Sequence, residues 1–239
     1  MISRISNIFK INWFATIYIN FKSLDLKSAL QLPIIVYRGF IIKELKGKII
    51  FKKPVQFGMV GFGQPYEIFT KGGRKGEAII NGHLIINGRV QFGIDSKLYI
   101  KDQGVLCLGH INSFAARTEV ICYHKISIEN WVQFGNDCLI CDTNFHELKN
   151  ITSNELIPMN HEITIGSHNY IGARTTIKGR TVTPDYCTVA TNSLLNRNYS
   201  SLGSNVVVGG IPAAKIKDNI ARDWESEKDV LEKYLTIKL

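Results

Sequence analysis

The feature that most constrains the fold is a period of six residues in the stretch 165–195. A branched or aliphatic side chain returns at every sixth position, at Ile165, Ile171, Ile177, Thr183, Val189 and Leu195. Four positions after each of the first five stands a small or modest side chain, at Asn169, Thr175, Thr181, Cys187 and Ser193. A period of six fits neither a helix, which repeats every 3.6 residues, nor one long alternating strand. It predicts short strands joined by tight corners, three to a coil, in an all-β solenoid of the parallel β-helix type.

The same register continues toward the N-terminus with two interruptions. Matching anchors stand at Leu108, Phe114, Val120, Ile128, Phe134 and Ile140. Eight residues rather than six separate Val120 from Ile128, which predicts a bulge at a corner. Between Ile140 and Ile165 the repeat breaks for much longer, so residues 143–162 are predicted to form a long surface loop. Long loops in repeat arrays often carry the functional site.

Composition and charge limit the class of protein. Hydrophobic residues make up 45% of the 239 residues and charged residues 21%, as in an ordinary globular chain. The formal net charge of +9 suggests an anionic partner, with simple solubility as the alternative. Nucleic acid is not expected, because no nucleic-acid-binding motif is present. The five cysteines lack zinc-site spacing, and Cys138 and Cys187 fall in the small inward slot, so we expect free buried thiols in a reducing compartment.

The two ends of the chain differ from the repeat. Residues 1–46 interleave aromatic and aliphatic side chains with basic ones, and no apolar run approaches the roughly 20 residues that span a bilayer. We interpret them as a helical or irregular N-terminal arm that caps the open end of the solenoid, and the alternative is a segment lying at a membrane surface. The β-helix is predicted to span residues 47–215. Residues 216–239 have apolar positions at helical spacing and predict a short C-terminal helix, which either caps the solenoid or packs on a neighbouring subunit.

The long loop opens on a polar segment that ends in a histidine, His146. Imidazole is the side chain best suited to accept a proton at neutral pH, which makes a histidine at this place a candidate general base. Asp142 and Asn144 are close enough in sequence to orient the ring. The alternative is a histidine with a structural role. We predict that His146 is catalytic, that Asp142 orients it and that Asn144 contacts the acceptor.

The hexads, the histidine segment and the closing segment 207–216 together resemble the hexapeptide-repeat acyltransferases. Within them, the chain is most similar to acetyl-CoA-dependent O-acetyltransferases of sugars, capsule and lipopolysaccharide. The resemblance is strongest over residues 80–217. It implies a left-handed parallel β-helix, a homotrimer with active sites between subunits, acetyl-CoA as acyl donor and no metal. The implied location is cytoplasmic, with peripheral contact at the inner face of the membrane as the alternative interpretation of the arm.

The resemblance also implies roles for individual residues. His146 matches the general base, and Tyr170 takes the place of a tryptophan beside the cofactor groove. The residues matched to the acetyl-CoA site, the two lysines being candidates for a phosphate contact, are Tyr170, Gly172, Ala173, Thr191, Asn196, Arg197, Lys215 and Lys217. Asn192 stands where the family has a glycine, and asparagine tolerates the same left-handed turn. Asn144 stands where the family has a second aspartate.

The implied reaction is a direct transfer in which a sugar hydroxyl attacks the thioester while His146 accepts its proton. The acceptor is a small-molecule or lipid-linked sugar. A covalent route through Cys141 is disfavoured, because no basic residue stands beside it in the sequence. An amino-sugar N-acetyltransferase and a non-catalytic β-helix scaffold remain as alternatives. A γ-type carbonic anhydrase fits poorly, because no two histidines have the required spacing.

Overall fold

The computed structural model, which describes residues 8–67 and 73–237, is a three-sided stack of parallel coils. Through most of the chain every third strand joins the same sheet, so each coil adds one strand to each of three sheets. Pairing within these sheets is parallel, except where the last strand folds back on its neighbour. This topology is a parallel β-helix, in agreement with the six-residue period.

The elements below are those of the described residues. The helices are α1 (Trp13–Ser23), α2 (Leu26–Ala29) and α3 (Trp224–Leu235), with a 3-10 helix at Ser200–Leu202. The strands of the first half are β1 (Ile34–Val36), β2 (Phe40–Leu45), β3 (Lys48–Phe51), β4 (Val60–Gln64), β5 (Gly76–Ile80), β6 (His83–Ile86), β7 (Val90–Gly93), β8 (Lys97–Ile100), β9 (Val105–Leu108), β10 (Asn112–Phe114), β11 (Glu119–Cys122) and β12 (Lys125–Ile128). Those of the second half are β13 (Gln133–Phe134), β14 (Leu139–Cys141), β15 (Leu148–Lys149), β16 (Leu156–Ile157), β17 (Ile163–Ile165), β18 (Tyr170–Ile171), β19 (Thr176–Lys178), β20 (Cys187–Val189), β21 (Leu194–Leu195), β22 (Val206–Gly210) and β23 (Ala213–Asp218).

The three sheets run along the stack and differ in length. The nine-stranded sheet has the order β1-β4-β7-β10-β13-β18-β20-β22-β23. The seven-stranded sheet has the order β2-β5-β8-β11-β14-β19-β21, and the five-stranded sheet has the order β17-β12-β9-β6-β3. The antiparallel pair β15 and β16 stands apart from all three. The long loop is therefore inserted between β14 and β17 without disturbing the stacking of the coils on either side.

The interior is built from the side chains of the six-residue period. Every anchor position that the sequence predicts between residues 108 and 195 is at most 3% exposed. Five phenylalanine rings stack along the interior with neighbouring centroids 4.6 to 5.2 Å apart, namely Phe40, Phe62, Phe92, Phe114 and Phe134. Coils in a β-helix repeat at about 4.8 Å, so the same residue type in register brings ring against ring.

The corners show why the repeat contains both asparagine and glycine. Asn192 has a φ of 58°, which confirms the left-handed turn expected of it. Gly172 is needed for a different reason, since a Cβ there would lie 2.6 Å from the backbone nitrogen of Thr191 on the next coil. At Gly172 the requirement is therefore the close approach of two coils, whereas positive φ is found at Asn192 and at non-glycine residues such as Arg174.

Helix α1 closes the first coil with polar side chains. Asn20 Nδ2 donates to the carbonyl oxygen of Ile34 at 2.7 Å, and the Val36 N–H donates to Thr16 Oγ1 at 3.0 Å. These groups stand where a preceding strand would otherwise pair with β1, so its backbone polar groups are satisfied. Ile19 is fully buried against the interior. The capping interpretation of the arm therefore describes this helix.

Two element boundaries differ from those predicted from the sequence, namely the start of the β-helix and the extent of the C-terminal helix. β1 and β2 already belong to the sheets, so the β-helix begins at Ile34 and not at residue 47. At the other end β23 extends to Asp218, and the C-terminal helix occupies Trp224–Leu235 and not the whole of 216–239. Residues 1–7 of the predicted arm lie outside the described part of the chain. Across the residues that the structure describes, no helix combines the length and hydropathy needed to cross a membrane.

Helix α3 lies lengthwise on the outside of the nine-stranded sheet. Near its start the Trp224 ring meets His168 edge-on, with centroids 5.7 Å apart. Near its end Gln91 Nε2 donates to the backbone oxygen of Leu235 at 2.9 Å, and Ile237 packs in a small cluster beside β1. The helix therefore fastens several coils of its own chain together. This corrects the expectation that it caps the solenoid, while packing on a neighbouring subunit stays a prediction.

Candidate active site

The break in the repeat is an ordered antiparallel hairpin formed by β15 and β16. At its neck the Asn144 N–H donates to the carbonyl oxygen of Met159 at 2.9 Å. The His161 N–H donates to the carbonyl oxygen of Asp142 at 2.9 Å. These two bonds close the loop where it leaves the β-helix, so the predicted loop is a structured projection.

His146 is exposed and lies between the neck of the hairpin and β15. The residue before it, Phe145, has a φ of 63°, and its N–H donates to Thr143 Oγ1 at 3.0 Å. The Phe145 ring meets the Tyr123 ring edge-on, with centroids 5.5 Å apart. Among the described residues no hydrogen-bond partner engages the His146 side chain. The backbone is thus fixed on one side of His146 while its imidazole stays open to an incoming group.

Asp142 is buried, and its carboxylate is used by the backbone. One oxygen accepts the N–H of Tyr123 at 2.7 Å and the other accepts the N–H of His124 at 2.8 Å. These residues form the bulge that the eight-residue spacing predicts. No hydrogen bond between Asp142 and His146 is present in the described part of the chain, so the predicted orienting contact is not seen there. Asp142 instead joins the start of the hairpin to the corner of the preceding coil.

The Asp142→Asn variant is expected to lose stability. An amide offers one acceptor oxygen in place of two, so one of the two N–H groups is left without a partner, at a cost of roughly 1–3 kcal/mol. For a chain of this size that corresponds to a fall in thermal midpoint of roughly 2–12 °C. Asn144→Ala, at an exposed neighbouring position, is the control and should change the midpoint little. An unchanged midpoint for Asp142→Asn together with reduced turnover would restore the orienting role.

A pocket of about 400 Å³ lies beside the neck of the hairpin. Three residues predicted from the sequence line it, namely Asp142, Asn144 and Asn196. The lining residues that were missed include three with titratable side chains, namely His161, Lys178 and Arg180. The six-residue pattern could have pointed to Lys178 and Arg180. Both follow the buried anchor Ile177, on the first coil after the hairpin. His146 is not among the residues that line this pocket.

The charges around this pocket favour an anionic group. Lys178 and Arg180 contribute positive charge, and the carboxylate of Asp142 is already bonded to two backbone N–H groups. Burial, together with the positive charge of Arg180, lowers the pKa of His161, so the neutral imidazole is favoured there. A carboxylate or phosphate on a bound molecule would therefore meet cations with little opposing charge.

Lys178 also connects the β-helix to the start of the hairpin. Its ammonium donates to the carbonyl oxygen of Thr143 at 2.6 Å and contacts the sulfur of Cys141 at 3.5 Å. The premise that Cys141 has no basic neighbour is therefore wrong in space, although it holds along the sequence. Cys141 is 1% exposed, and this burial is the physical reason for disfavouring it as a nucleophile.

The cysteines behave as buried thiols. All five are free, and four of them are buried. Burial raises the pKa of Cys138 to about 11 and that of Cys187 to about 12, so both stay protonated at neutral pH. Within residues 8–67 and 73–237, no three or more His, Cys, Asp or Glu side chains come together as a metal site would require.

Seven of the eight residues matched to the acetyl-CoA site fall in two places, and the eighth, Asn196, lines the pocket beside the neck of the hairpin. Tyr170, Gly172, Ala173 and Thr191 lie at one corner of two consecutive coils, where Gly172 faces the backbone of Thr191. The Tyr170 ring and Thr191 are exposed, and the Arg222 guanidinium lies 5.2 Å from the centre of the Tyr170 ring. The structure therefore brings these four together, with an aromatic ring and a hydroxyl on the surface.

The second place surrounds the last coil. Arg197 Nη2 donates to the carbonyl oxygen of Ala213 at 2.6 Å, and Lys215 forms an ion pair with Asp218 at 3.0 Å. Lys217 on β23 has no ion-pair partner in the part of the chain that the structure describes. Of the two candidate lysines, Lys217 is thus the one whose ammonium is not engaged by a carboxylate.

Comparison with known proteins gives a fold. No family model and no curated protein matches the sequence. Among solved structures, the polysialic-acid-specific acetyltransferase NeuO is 16% identical, with a TM-score of 0.50 over 82% of this chain and 97% of that chain. The polysialic acid O-acetyltransferase OatWY is 15% identical, with a TM-score of 0.45 over 77% of this chain and 90% of that chain. The N-acyltransferase AntD from Bacillus cereus, in complex with dTDP and 3-hydroxybutyryl-CoA, is 16% identical, with a TM-score of 0.40 over 84% of this chain and 87% of that chain. The match to NeuO shows that the two chains share a fold, as the resemblance read from the repeat and its motifs implies.

Proposed function

We propose that this chain is an acetyl-CoA-dependent O-acetyltransferase of the left-handed β-helix type. Its acceptor would be a sugar hydroxyl, on a small molecule or a lipid-linked saccharide, in the biosynthesis of a surface polysaccharide in the cytoplasm. The fold shared with NeuO is compatible with this, but one fold serves many chemistries, so the proposal is argued from the site. The observation that carries it is the exposed His146 on a pinned hairpin beside a cationic pocket.

The proposed reaction needs one base and a place for the developing charge. The sugar hydroxyl attacks the carbonyl carbon of the thioester, and His146 accepts the hydroxyl proton as the new C–O bond forms. A backbone N–H or a small donor stabilises the tetrahedral oxyanion. When the C–S bond breaks, the imidazolium returns the proton to the departing thiolate, so free CoA leaves as a thiol and His146 is again neutral.

The donor would occupy the corner of consecutive coils described above. Tyr170, Ala173 and Thr191 would contact its pantetheine arm, with Gly172 keeping the coils close. Arg197 and one of the two lysines would lie at its nucleotide end, and Lys217 is the better candidate for a phosphate because Lys215 already pairs with a carboxylate. Asn196, which the resemblance matches to the same end of the donor, instead lines the cationic pocket. Asn144 would contact the acceptor from the cationic pocket.

The function is tested by following free thiol while the purified chain is incubated with acetyl-CoA and a panel of sugars. The panel contains matched hydroxyl and amino sugars, so that the alternative of an amino-sugar N-acetyltransferase is distinguished by which acceptor is acetylated. Release of thiol that depends on a hydroxyl acceptor is the expected result. No acceptor-dependent release from any member of a broad panel would favour the second alternative, a non-catalytic scaffold or binding protein.

A homotrimer is part of the proposal, and the hairpin supports it. Leu148, Ile151 and Leu156 are more than half exposed on this projection, which leaves an apolar surface that a neighbouring subunit would cover. We expect light scattering at micromolar concentration to give three times the 26.9 kDa chain mass. A mass equal to one chain would remove the shared active site from the proposal.

A further inference from the structure

The outer surface of α1 carries an apolar stripe. Phe14 on α1 is 84% exposed, and Ile17, Tyr18 and Phe21 are exposed at the spacing of one helical face. Two further exposed leucines follow, Leu26 at the start of α2 and Leu30 directly after its end. We call these six side chains the arm surface. Exposed apolar groups that are scattered need no explanation, but a contiguous set of this kind marks a contact surface.

The face of α1 that packs on the β-helix combines the buried Ile19 with two polar side chains. Its buried face contains Thr16 and Asn20, both fully buried and both hydrogen-bonded to the backbone of β1. One of its four aromatic residues, Trp13, packs partly buried against the cluster that contains Ile237, whereas Phe14, Tyr18 and Phe21 are exposed. Closure of the first coil therefore does not use them, and their presence on the outside calls for a partner.

Most of the charges beside the arm surface are positive; the exception is the exposed Asp25, whose carboxylate accepts the Ser28 N–H at the start of α2. Lys10, Lys22 and Lys27 are exposed, and none of them forms an ion pair with a residue that the structure describes. Residues 8–24 contain no aspartate or glutamate, and the whole chain carries a formal charge of +9. An anionic surface would be attracted to this end of the molecule, and an acidic lipid contributes about 1 kcal/mol per lysine near it.

We propose that the arm surface docks on a membrane leaflet that contains anionic lipids. Aromatic and aliphatic side chains with lysines at their edge are the composition that suits the boundary between headgroups and acyl chains, where an amphipathic helix lies roughly 5–10 Å deep. The docking goes beyond the proposed acetyl transfer and does not depend on it.

Docking through the arm surface would hold the hairpin at a fixed distance from the membrane. The hairpin leaves the β-helix after β14, which is four strands from β2 in the seven-stranded sheet. At about 4.8 Å per strand, the hairpin would stand roughly 20 Å from the capped end. An acceptor attached to a lipid through a few linking groups would reach the hairpin from the same surface.

The test is sedimentation of the full chain with vesicles of phosphatidylcholine, with and without phosphatidylglycerol. We expect binding to the anionic vesicles that weakens as salt rises, and little binding to phosphatidylcholine alone. The Ile17→Ser/Phe21→Ser variant should lower the partition coefficient at least about tenfold, since each substitution removes buried apolar area. Lys22→Gln/Lys27→Gln should lower it about fivefold per lysine.

A matched control is available on another helix. Val230 and Tyr234 on α3 are exposed and four residues apart, so Val230→Ser/Tyr234→Ser removes similar side chains from a different surface and should bind vesicles as the wild type does. Circular dichroism checks that both variants fold. Failure of the wild type to bind anionic vesicles at low salt, or equal loss in the control, overturns the proposal. So does a change of molecular mass in the Ile17→Ser/Phe21→Ser variant, which would make the arm surface a subunit contact.

The two proposals fail separately. Acetyl transfer to a soluble sugar should be the same for the wild type and Ile17→Ser/Phe21→Ser, because the arm surface lies away from the hairpin. Vesicle binding without transferase activity would leave docking standing and remove the proposed function. Transferase activity without vesicle binding would leave the proposed function standing and remove the docking proposal.

Discussion

His146→Ala should lose at least about a hundredfold in kcat while keeping its fold, its oligomeric state and its binding of acetyl-CoA. A sugar hydroxyl is too weak an acid to attack a thioester unaided at neutral pH, and a positioned base contributes roughly two to four orders of magnitude. Because the side chain is exposed and has no described hydrogen-bond partner, its removal should leave the thermal midpoint unchanged. The measurement is steady-state turnover with the acceptor found in the thiol-release screen, beside a melting curve.

The control for this substitution is His83→Ala. His83 is an exposed histidine on β6, in an early coil far from the hairpin, and its removal should leave kcat as it is. A near wild-type kcat for His146→Ala would place the base elsewhere, and His161→Ala would then be the variant to make. A fall in kcat accompanied by a lower melting point would instead indicate that His146 supports the hairpin.

Phe114→Ala should be among the most destabilising single substitutions in the chain. The ring is fully buried between Phe92 and Phe134, with centroids 4.6 and 4.8 Å away. Truncating a buried phenylalanine costs about 3–5 kcal/mol, because the transfer free energy of the ring is lost and a cavity remains. We expect the urea midpoint followed by far-UV circular dichroism to fall accordingly. The transition should also broaden, because coils interact only with their neighbours and the two sides of the gap can then unfold separately.

Phe14→Ala is the matched control for the interior stack. This phenylalanine is 84% exposed, so its truncation in the absence of membrane should change the free energy of unfolding by no more than about 0.5 kcal/mol. If Phe114→Ala shifted the urea midpoint as little as Phe14→Ala does, the stacked rings would not be part of the cooperative core.

The sequence predicted best those features that repeat. A buried anchor every six residues fixes which side chains face inward, so the interior followed from spacing alone. A departure from the period was equally informative, since the eight-residue step before Ile128 marked the bulge at Tyr123 and His124. Asn192 was predicted because the turn it occupies depends on its own backbone angle. In each case the determining interaction is local or repeats with the coil.

Contacts that occur once were not predicted. Lys178 contacts Cys141 and Thr143 because its coil stacks next to the start of the hairpin. The residues adjacent to Lys178 in the sequence give no indication of this contact. Asp142 was matched to the nearest histidine in sequence, whereas its partners lie on the preceding coil. The place where α3 packs is set by side chains on the outward face of the nine-stranded sheet. Unlike the inward anchors, these outward side chains do not recur every six residues, so the sequence pattern could not predict the contact. The early coils around Ile34 were missed because their strands are irregularly spaced.

A helix closes one end of the β-helix and an antiparallel strand closes the other, and these two closures limit how long the stack of coils can be. A stack of parallel coils is in principle a polymer, since each end presents the same unpaired backbone that the next coil would use. Here Thr16 and Asn20 occupy that backbone at one end, and β23 folds back antiparallel on β22 at the other. Neither cap resembles a coil, so the nine-stranded sheet offers a second molecule no matching strand edge at either end. Length is therefore set by the number of coils between two dissimilar stops, and a duplicated coil in the interior would lengthen the molecule without altering how it ends.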